Sequence, residues 1–337
     1  MGSTSLAELS NLMVYATLIV LSMAVLCFAL DLGVGTGRRR AVQAQERRAL
    51  VQAEARAGSG GGVEVRQRIE TADVVDERWA RIGLSLSTLA FLLLAAAVVA
   101  RGISAGRPPW GNMYEFSLAG ATAAMGVWLL LVRRRKEARE LGLLVTLAVL
   151  LILGVAVIVL YTESAQLVPA LKSYWLWIHV SAAIIASGIF TVASVASALF
   201  LITDRHDRRL ASGAVTGGVT GAGGILDRLA ERLPSSQSLD RVAYQMIAVA
   251  FPLWFFAIVA GAIWAEGAWG RYWGWDPKET WAFITLVIYA AYLHARSTAG
   301  WRGRPAAVIA LVGFAAFLFS YIGVNIFFFG LHSYGGV

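Results

Sequence analysis

The chain has 337 residues, of which 58% are hydrophobic and only 15% charged, against about a quarter charged in soluble domains. That balance excludes a water-soluble globular body and points to an all-α polytopic membrane protein. A formal net charge of +8 raises the question of nucleic acid, which the placement of the charges answers below.

Apolar runs long enough to cross about 30 Å of hydrocarbon as helices fall near residues 11–33, 82–101, 115–132, 141–161, 175–202, 242–265, 279–296 and 305–329. The sequence thus predicts a bundle of about eight transmembrane helices. The first span follows Met1-Gly-Ser-Thr-Ser with no basic segment before it and no small-residue cleavage site after it, so it reads as a retained helix over 1–37 rather than a signal peptide. It carries the single cysteine, Cys27; there is neither a disulfide framework nor a CxxC pair, and thiol chemistry must come from a partner.

Residues 38–81 read as a cytoplasmic flexible loop with Gly58-Ser-Gly-Gly-Gly62 at its centre, and 212–224, within a second cytoplasmic loop at 203–241, is nearly all small residues. Residues 82–337 read as one membrane domain of seven helices. Of the 29 Lys and Arg, 24 lie in the alternate connections 38–81, 133–139, 203–241 and 296–304, while Arg101, Arg107, Lys172, Arg271 and Lys278 lie in the others. The positive-inside rule puts the first set in the cytoplasm and both termini on the extracytoplasmic side of the plasma membrane. The basic charge is a topology signal, and no nucleic-acid partner is expected.

Three outer connections remain as candidates for a site, 102–114, 162–174 and 266–278, together with the tail 330–337. His179, in Tyr174-Trp-Leu-Trp-Ile-His179, lies about one turn inside the fifth span, and His332 follows the last span in Gly330-Leu-His332-Ser-Tyr. Between them in sequence comes Trp269-Gly-Arg-Tyr-Trp-Gly-Trp-Asp-Pro-Lys-Glu-Thr-Trp281, four tryptophans in thirteen residues, with Trp264 just before it. Interfacial tryptophans are ordinary anchors, yet here the connection itself is aromatic. Asp276-Pro277-Lys278-Glu279 has the order of a capping box opening the seventh helix; the N–H groups of that helix end face the aromatic shelf and favour an anion.

A broad aromatic shelf (Trp264, Trp269, Trp273, Trp275, Trp281), two cations beside it (Arg271, Lys278) and two histidines at its level suit a flat apolar ligand with anionic substituents. Haem is the first candidate, because two neutral imidazoles complete a six-coordinate iron. His294, in Tyr292-Leu-His294-Ala-Arg296, lies about 20 Å deeper at 1.5 Å per residue and cannot share that site. An ionisable residue inside a span is a functional candidate, and a haem held there needs a second ligand from outside this chain. His206, among charges in Asp204-Arg-His206-Asp-Arg-Arg, reads as a solvated cytoplasmic residue.

Trp273-Gly-Trp-Asp-Pro-Lys-Glu-Thr-Trp-Ala-Phe-Ile-Thr285 resembles the WWD signature of haem-handling proteins in cytochrome c maturation, and the Asp-Pro-Lys-Glu-Thr-Trp form is similar to the system II subunit called CcsA, ResC or CcsB. The outer connection Pro109-Trp-Gly-Asn112-Met-Tyr114-Glu115, the Trp-Ile-His179-Val element, Tyr289-Ala-Ala-Tyr-Leu-His294 and the closing Gly-Leu-His332-Ser-Tyr-Gly resemble the same family. The likeness covers most of residues 80–337 in order. It implies that His179 and His332 ligate iron at an external site formed with the WWD segment 264–285, that Asn112, Tyr114, Glu115 and Asp276 belong to the haem site, and that His294 holds haem b in transit with a ligand from a ResB/Ccs1-type membrane subunit. It further implies a cytochrome c synthase of the haem lyase type, joining the haem vinyl groups to the Cys-x-x-Cys-His of apocytochrome c. A thioredoxin-like thiol reductant and its membrane electron donor are the remaining partners. Two rival readings differ in what they require: a b-type electron carrier needs paired histidines at both membrane levels, and a transporter of a non-haem substrate would purify without haem.

Overall fold

The computed structural model describes residues 3–54, 78–163, 173–212, 225–298 and 300–332. The helices are α1 (Ser3–Glu54), α2 (Arg78–Ala105), α3 (Met113–Arg134), α4 (Gly142–Ile158), α5 (Tyr174–Ala211), a short α6 (Ile225–Ala230), α7 (Ser236–Trp269), α8 (Pro277–Ser297), α9 (Arg304–Leu318) and α10 (Val324–Phe327). A 3₁₀ turn at Lys136–Leu141 precedes α4, and a π-turn at Phe319–Gly323 joins α9 to α10. Such a bundle is what a lipid environment dictates, since only helices satisfy every backbone group within one span. The chain is a multi-pass membrane protein.

Seven helical segments have the length and apolar composition of membrane spans: Ser5–Leu32, Arg78–Ala105, Met113–Arg134, Lys136–Ile158, Tyr174–Ala211, Ser236–Trp269 and Arg304–Phe327. Helix α8 matches the seventh predicted span, 279–296. Its 21 residues reach about 31 Å at 1.5 Å per residue, but its ends carry Lys278, Glu279, His294 and Arg296. Most of the glycine-rich stretches read as loops lie outside the described residues. Within the segment read as the first cytoplasmic loop, however, helix α1 runs on to Glu54 and α2 already begins at Arg78.

Helix α5 is the axis of the bundle. Small residues let its neighbours come close: Ala182, Ala183, Ala186, Gly188, Ala193 and Ala196 are all buried, and a Cβ on Gly188 would stand 2.8 Å from the backbone of Ala123 and Ala124 on α3. Packing of small faces is how helices associate where lipid removes the hydrophobic drive. Helices α3, α7 and α9 pack around α5, and α1 and α2 pair with each other at the side of α4. At the centre of the bundle Phe190 stacks on Tyr289 with ring centroids 4.0 Å apart and planes 2° apart.

The two ends of the bundle differ in their chemistry. At one end Arg296 meets both oxygens of Asp240 at 2.6 Å, Arg208 and Arg304 flank Asp204 at 3.0 and 3.6 Å, and Asp227 takes His206 at 3.2 Å and Arg209 at 3.3 Å. His206 is buried in that pairing, in contrast to the solvated residue that the sequence suggested. At the other end the starts of α3, α5 and α8 meet the finish of α7 and the chain beyond α10.

That second end is braced by one buried carboxylate. Glu115 contacts Arg101 at 3.3 Å and Arg107 at 2.7 Å, with the glutamate side chain wholly buried and Arg101 only 1% exposed. It also accepts the amide of Gly111 at 2.8 Å. Arg101 donates to the carbonyl of Thr162 and lies over the ring of Tyr114 at 5.0 Å, and Tyr114 meets Tyr161 edge to face. Glu115 therefore locks the connection 106–112 against the ends of α2 and α3. Replacing Glu115 by Ala strands two buried guanidinium groups, a loss of about 3–5 kcal/mol; the purified variant should melt several degrees below wild type, whereas an unchanged melting temperature would deny the cluster its bracing role.

Candidate functional site

The histidines predicted to act together are brought to one cavity. Ser173 caps α5 by accepting the amide of Trp175 at 3.3 Å, which fixes the helix start and places His179 five residues into it. The Nδ1 of His179 lies 2.6 Å from the carbonyl of Ala257 on α7. Donation there leaves Nε2 free. The approach needs Gly261, since a Cβ at that position would stand 2.7 Å from the imidazole.

His332 is oriented by a carboxylate. Its Nδ1 donates to Asp276 Oδ1 at 2.9 Å, and the amide of Leu331 donates to Asp276 Oδ2 at 2.7 Å. Asp276 is at the same time the N-cap of α8, accepting the amide of Lys278 at 3.0 Å. Glu279 completes the capping box by accepting the amides of Asp276 at 3.0 Å and Gly274 at 2.9 Å. Burial pushes the Asp276 carboxyl up, but the bonds from His332 and from the Leu331 and Lys278 amides outweigh it and hold the group at about 2. Asp276 is thus ionised at neutral pH, and its negative charge faces the ring that it aligns. A carboxylate on the far nitrogen of an imidazole is the usual device that fixes the tautomer of a metal-ligating histidine.

Trp264 binds the two histidines into one site. It is 3% exposed, too buried for an interfacial anchor. Its indole is parallel to His179 within 7° at 6.3 Å and lies 5.8 Å from His332, so the two imidazoles are at most about 12 Å apart. Trp269 closes on His332 edge to face at 4.8 Å. The C-terminus of α7 is turned by Gly270 in the left-handed conformation (φ 70°). Trp275 adopts the same region at φ 57°, where a bulky side chain is strained and such strain gathers at functional sites.

The cavity encloses about 1230 Å³ of empty space, part of it open to solvent, and its wall includes His179, His332, Trp264, Trp273, Lys278 and Asn112. Asn112 also caps α3 through the amide of Glu115 at 2.8 Å. Other predicted residues stand behind the wall. Arg271 packs over Gly274 and pairs with Glu279 at 3.6 Å. Trp275 is 64% exposed and meets Trp273 and Phe283, while Trp281 packs on Phe319 at 4.2 Å. Tyr114 and Glu115 belong to the buried brace and do not line the cavity. His294 is far from it, on the exposed face of α8.

Several wall residues were not anticipated. Trp254, Phe116, Phe317 and Tyr321 form much of the aromatic lining, and Trp110 joins it from the braced connection. Trp110 was visible beside Asn112 in the sequence. Tyr321 enters through the π-turn, which has no sequence signature.

This geometry meets a known family. The description "Cytochrome C assembly protein" matches residues 110–332, which runs from the braced connection to the second histidine. The cytochrome c biogenesis protein CcsA of Synechococcus elongatus is 38% identical over 286 residues, covering 75% of this chain and 87% of its own length. That of Parasynechococcus marenigrum is 40% identical over 260 residues, covering 74% and 85%, and that of Porphyra purpurea 37% over 279, covering 76% and 87%. The chain belongs to the CcsA family of cytochrome c assembly proteins. The fold is also similar to that of a solved cytochrome c haem lyase, CcmF, with a TM-score of 0.54 at 16% identity, covering 99% of this chain and 53% of the other.

Serine caps helices as well as aspartate does but is too short to reach His332. Asp276→Ser should therefore leave α8 intact; with His332 as an iron ligand it should weaken haem binding about 10- to 100-fold, the usual effect of removing a ligating histidine's orienting carboxylate. Haem titration followed by absorbance checks this; an unchanged affinity would mean that Asp276 serves the helix alone.

Proposed function

We propose that this CcsA-family membrane protein, which acts in cytochrome c biogenesis, receives haem b within the membrane and presents it on the outer face between His179 and His332 for attachment to apocytochrome c. The observation that carries the reading is the shared geometry of the two imidazoles: each gives its Nδ1 hydrogen to a fixed acceptor, both keep Nε2 for iron, and both stand in the wall of one aromatic cavity beside Trp264. The 24 cations gathered in alternate connections support an orientation in the plasma membrane with this cavity and both termini on the extracytoplasmic side.

The chemistry at the vinyl groups requires no nucleophile from this chain. Each cysteine thiol of the apocytochrome adds across one vinyl group, sulfur to carbon and hydrogen to the neighbouring carbon. Orientation of the haem edge by the aromatic wall is the contribution of the protein. The histidine of the Cys-x-x-Cys-His segment displaces one of the two axial ligands, which couples release to attachment. The thiols must arrive reduced, which assigns a thioredoxin-like reductant and its membrane electron donor to the same assembly.

His294 supports the other half of the route. It is exposed on the body of this chain and its imidazole makes no hydrogen bond among the described residues, a disposition that suits iron ligation at a surface shared with a ResB/Ccs1-type subunit. A bis-histidine electron carrier is not favoured, because it needs a second histidine pair and His206 is committed to Asp227.

Coexpression with the partner subunit and a reporter apocytochrome tests the proposal. His179→Gly and His332→Gly should each cut holocytochrome yield at least about tenfold, and added imidazole should restore much of it by filling the vacated position; His294→Gly should lower the haem that reaches the outer site. Full maturation in all three variants would refute the assignment.

A further inference from the structure

Most polar groups in the cavity wall already have partners. The Nδ1 atoms of His179 and His332 are taken, Asn112 caps α3, the Asn325 amide donates to the carbonyl of Tyr321, and the Tyr321 hydroxyl pairs with Ser117. Glu279 accepts two amides on Oε2, which also pairs with Arg271, while its Oε1 is buried without a hydrogen bond. Two donors of the wall stand out. The ammonium of Lys278 makes no hydrogen bond or ion pair among the described residues although the residue lines the cavity, and the indole Nε1 of Trp110 is buried without a partner.

The ionised Asp276 acts on the Lys278 ammonium only through its field, and a cation and a buried N–H group in an apolar wall without hydrogen bonds are costly unless a ligand satisfies them. Arg271, the other cation of this segment, does not line the cavity and pairs with Glu279 at 3.6 Å behind the wall. We infer that Lys278 and the Trp110 indole form a carboxylate-binding subsite of the cavity, which takes the propionates of the haem and thereby fixes which edge of the ring faces outward. The inference rests on the reading of the cavity as a haem site. Its consequence is directional: propionates anchored at Lys278 and Trp110 set the rotation of the macrocycle in its plane, so the vinyl edge is presented to the incoming thiols.

The test compares iron protoporphyrin IX with its dimethyl ester, which keeps the ring and iron but lacks both negative charges. Both are titrated into the full chain in detergent. Wild type should bind the diacid at least about tenfold more tightly than the diester, the size of one charge-assisted hydrogen bond. Lys278→Met should abolish most of that preference by weakening the diacid alone, Lys278→Arg should restore it, and Trp110→Phe should reduce it by a smaller factor. The bis-imidazole absorption bands should be the same in all variants. Equal affinity of wild type for diacid and diester would overturn the subsite, and that comparison needs no variant. A Lys278→Met chain weakened equally toward both porphyrins would also overturn it, because the residue would then be structural. Wild-type protein that binds porphyrin without bis-imidazole bands would defeat the underlying cavity reading, and the subsite with it.

Discussion

The site depends on one carboxylate. Asp276 opens α8 as its N-cap, accepts the amide of Leu331 and aligns the imidazole of His332. These bonds join a helix start to a chain end 55 residues further on, and without them nothing else in the described structure fixes the His332 ring by hydrogen bonding. The tightness of the join is visible at Gly330, where a Cβ would stand 2.5 Å from Asp276 Oδ2. A capping box by itself contributes local helix stability. Here the same atoms also align the imidazole of His332, so the start of the helix is tied to the segment that carries this histidine.

Around that join the molecule divides its labour by position. The α5 axis, close-packed through small residues, carries His179 on its first turns and thus sets its imidazole in the same cavity wall as His332. The Glu115 cluster holds the Trp110–Met113 wall in place from behind without reaching the cavity. At the far end, ion pairs tie the basic connections together, and His294 lies open on the side of α8. The aromatic cavity at one end and the exposed His294 on the flank are the two places that the proposed haem route uses, in a chain that belongs to a cytochrome c assembly family.

Much of this was legible in the sequence. Hydrophobic run length alone located the spans, because lipid permits few other structures, and the capping order Asp-Pro-Lys-Glu predicted the start of α8. The pairing of His179 with His332 followed from topology, since both fall at the same membrane level. The sequence was silent where contacts are made between distant segments. Nothing local distinguishes Asp276 as a cap from Asp276 as an orienting group for His332, or Arg271 held behind the wall from Lys278 within it. Tyr114 and Glu115 were read with the site because their segment resembles an outer connection of the family; the burial of Glu115 between two arginines belongs to tertiary packing. Trp254 and Tyr321 enter the wall through helix packing and a π-turn, and neither leaves a pattern in composition or spacing.

The central claim is that two histidines of this one chain ligate the same iron. Pulsed electron-spin spectroscopy of the ferric haem complex, with the chain labelled by ¹⁵N-histidine, counts the coordinating imidazole nitrogens directly. The account predicts a low-spin iron coupled to two histidine nitrogens in wild type, and to one in His179→Gly and in His332→Gly. Coupling to a single histidine nitrogen in wild type, or to two that persist in both variants, would contradict it.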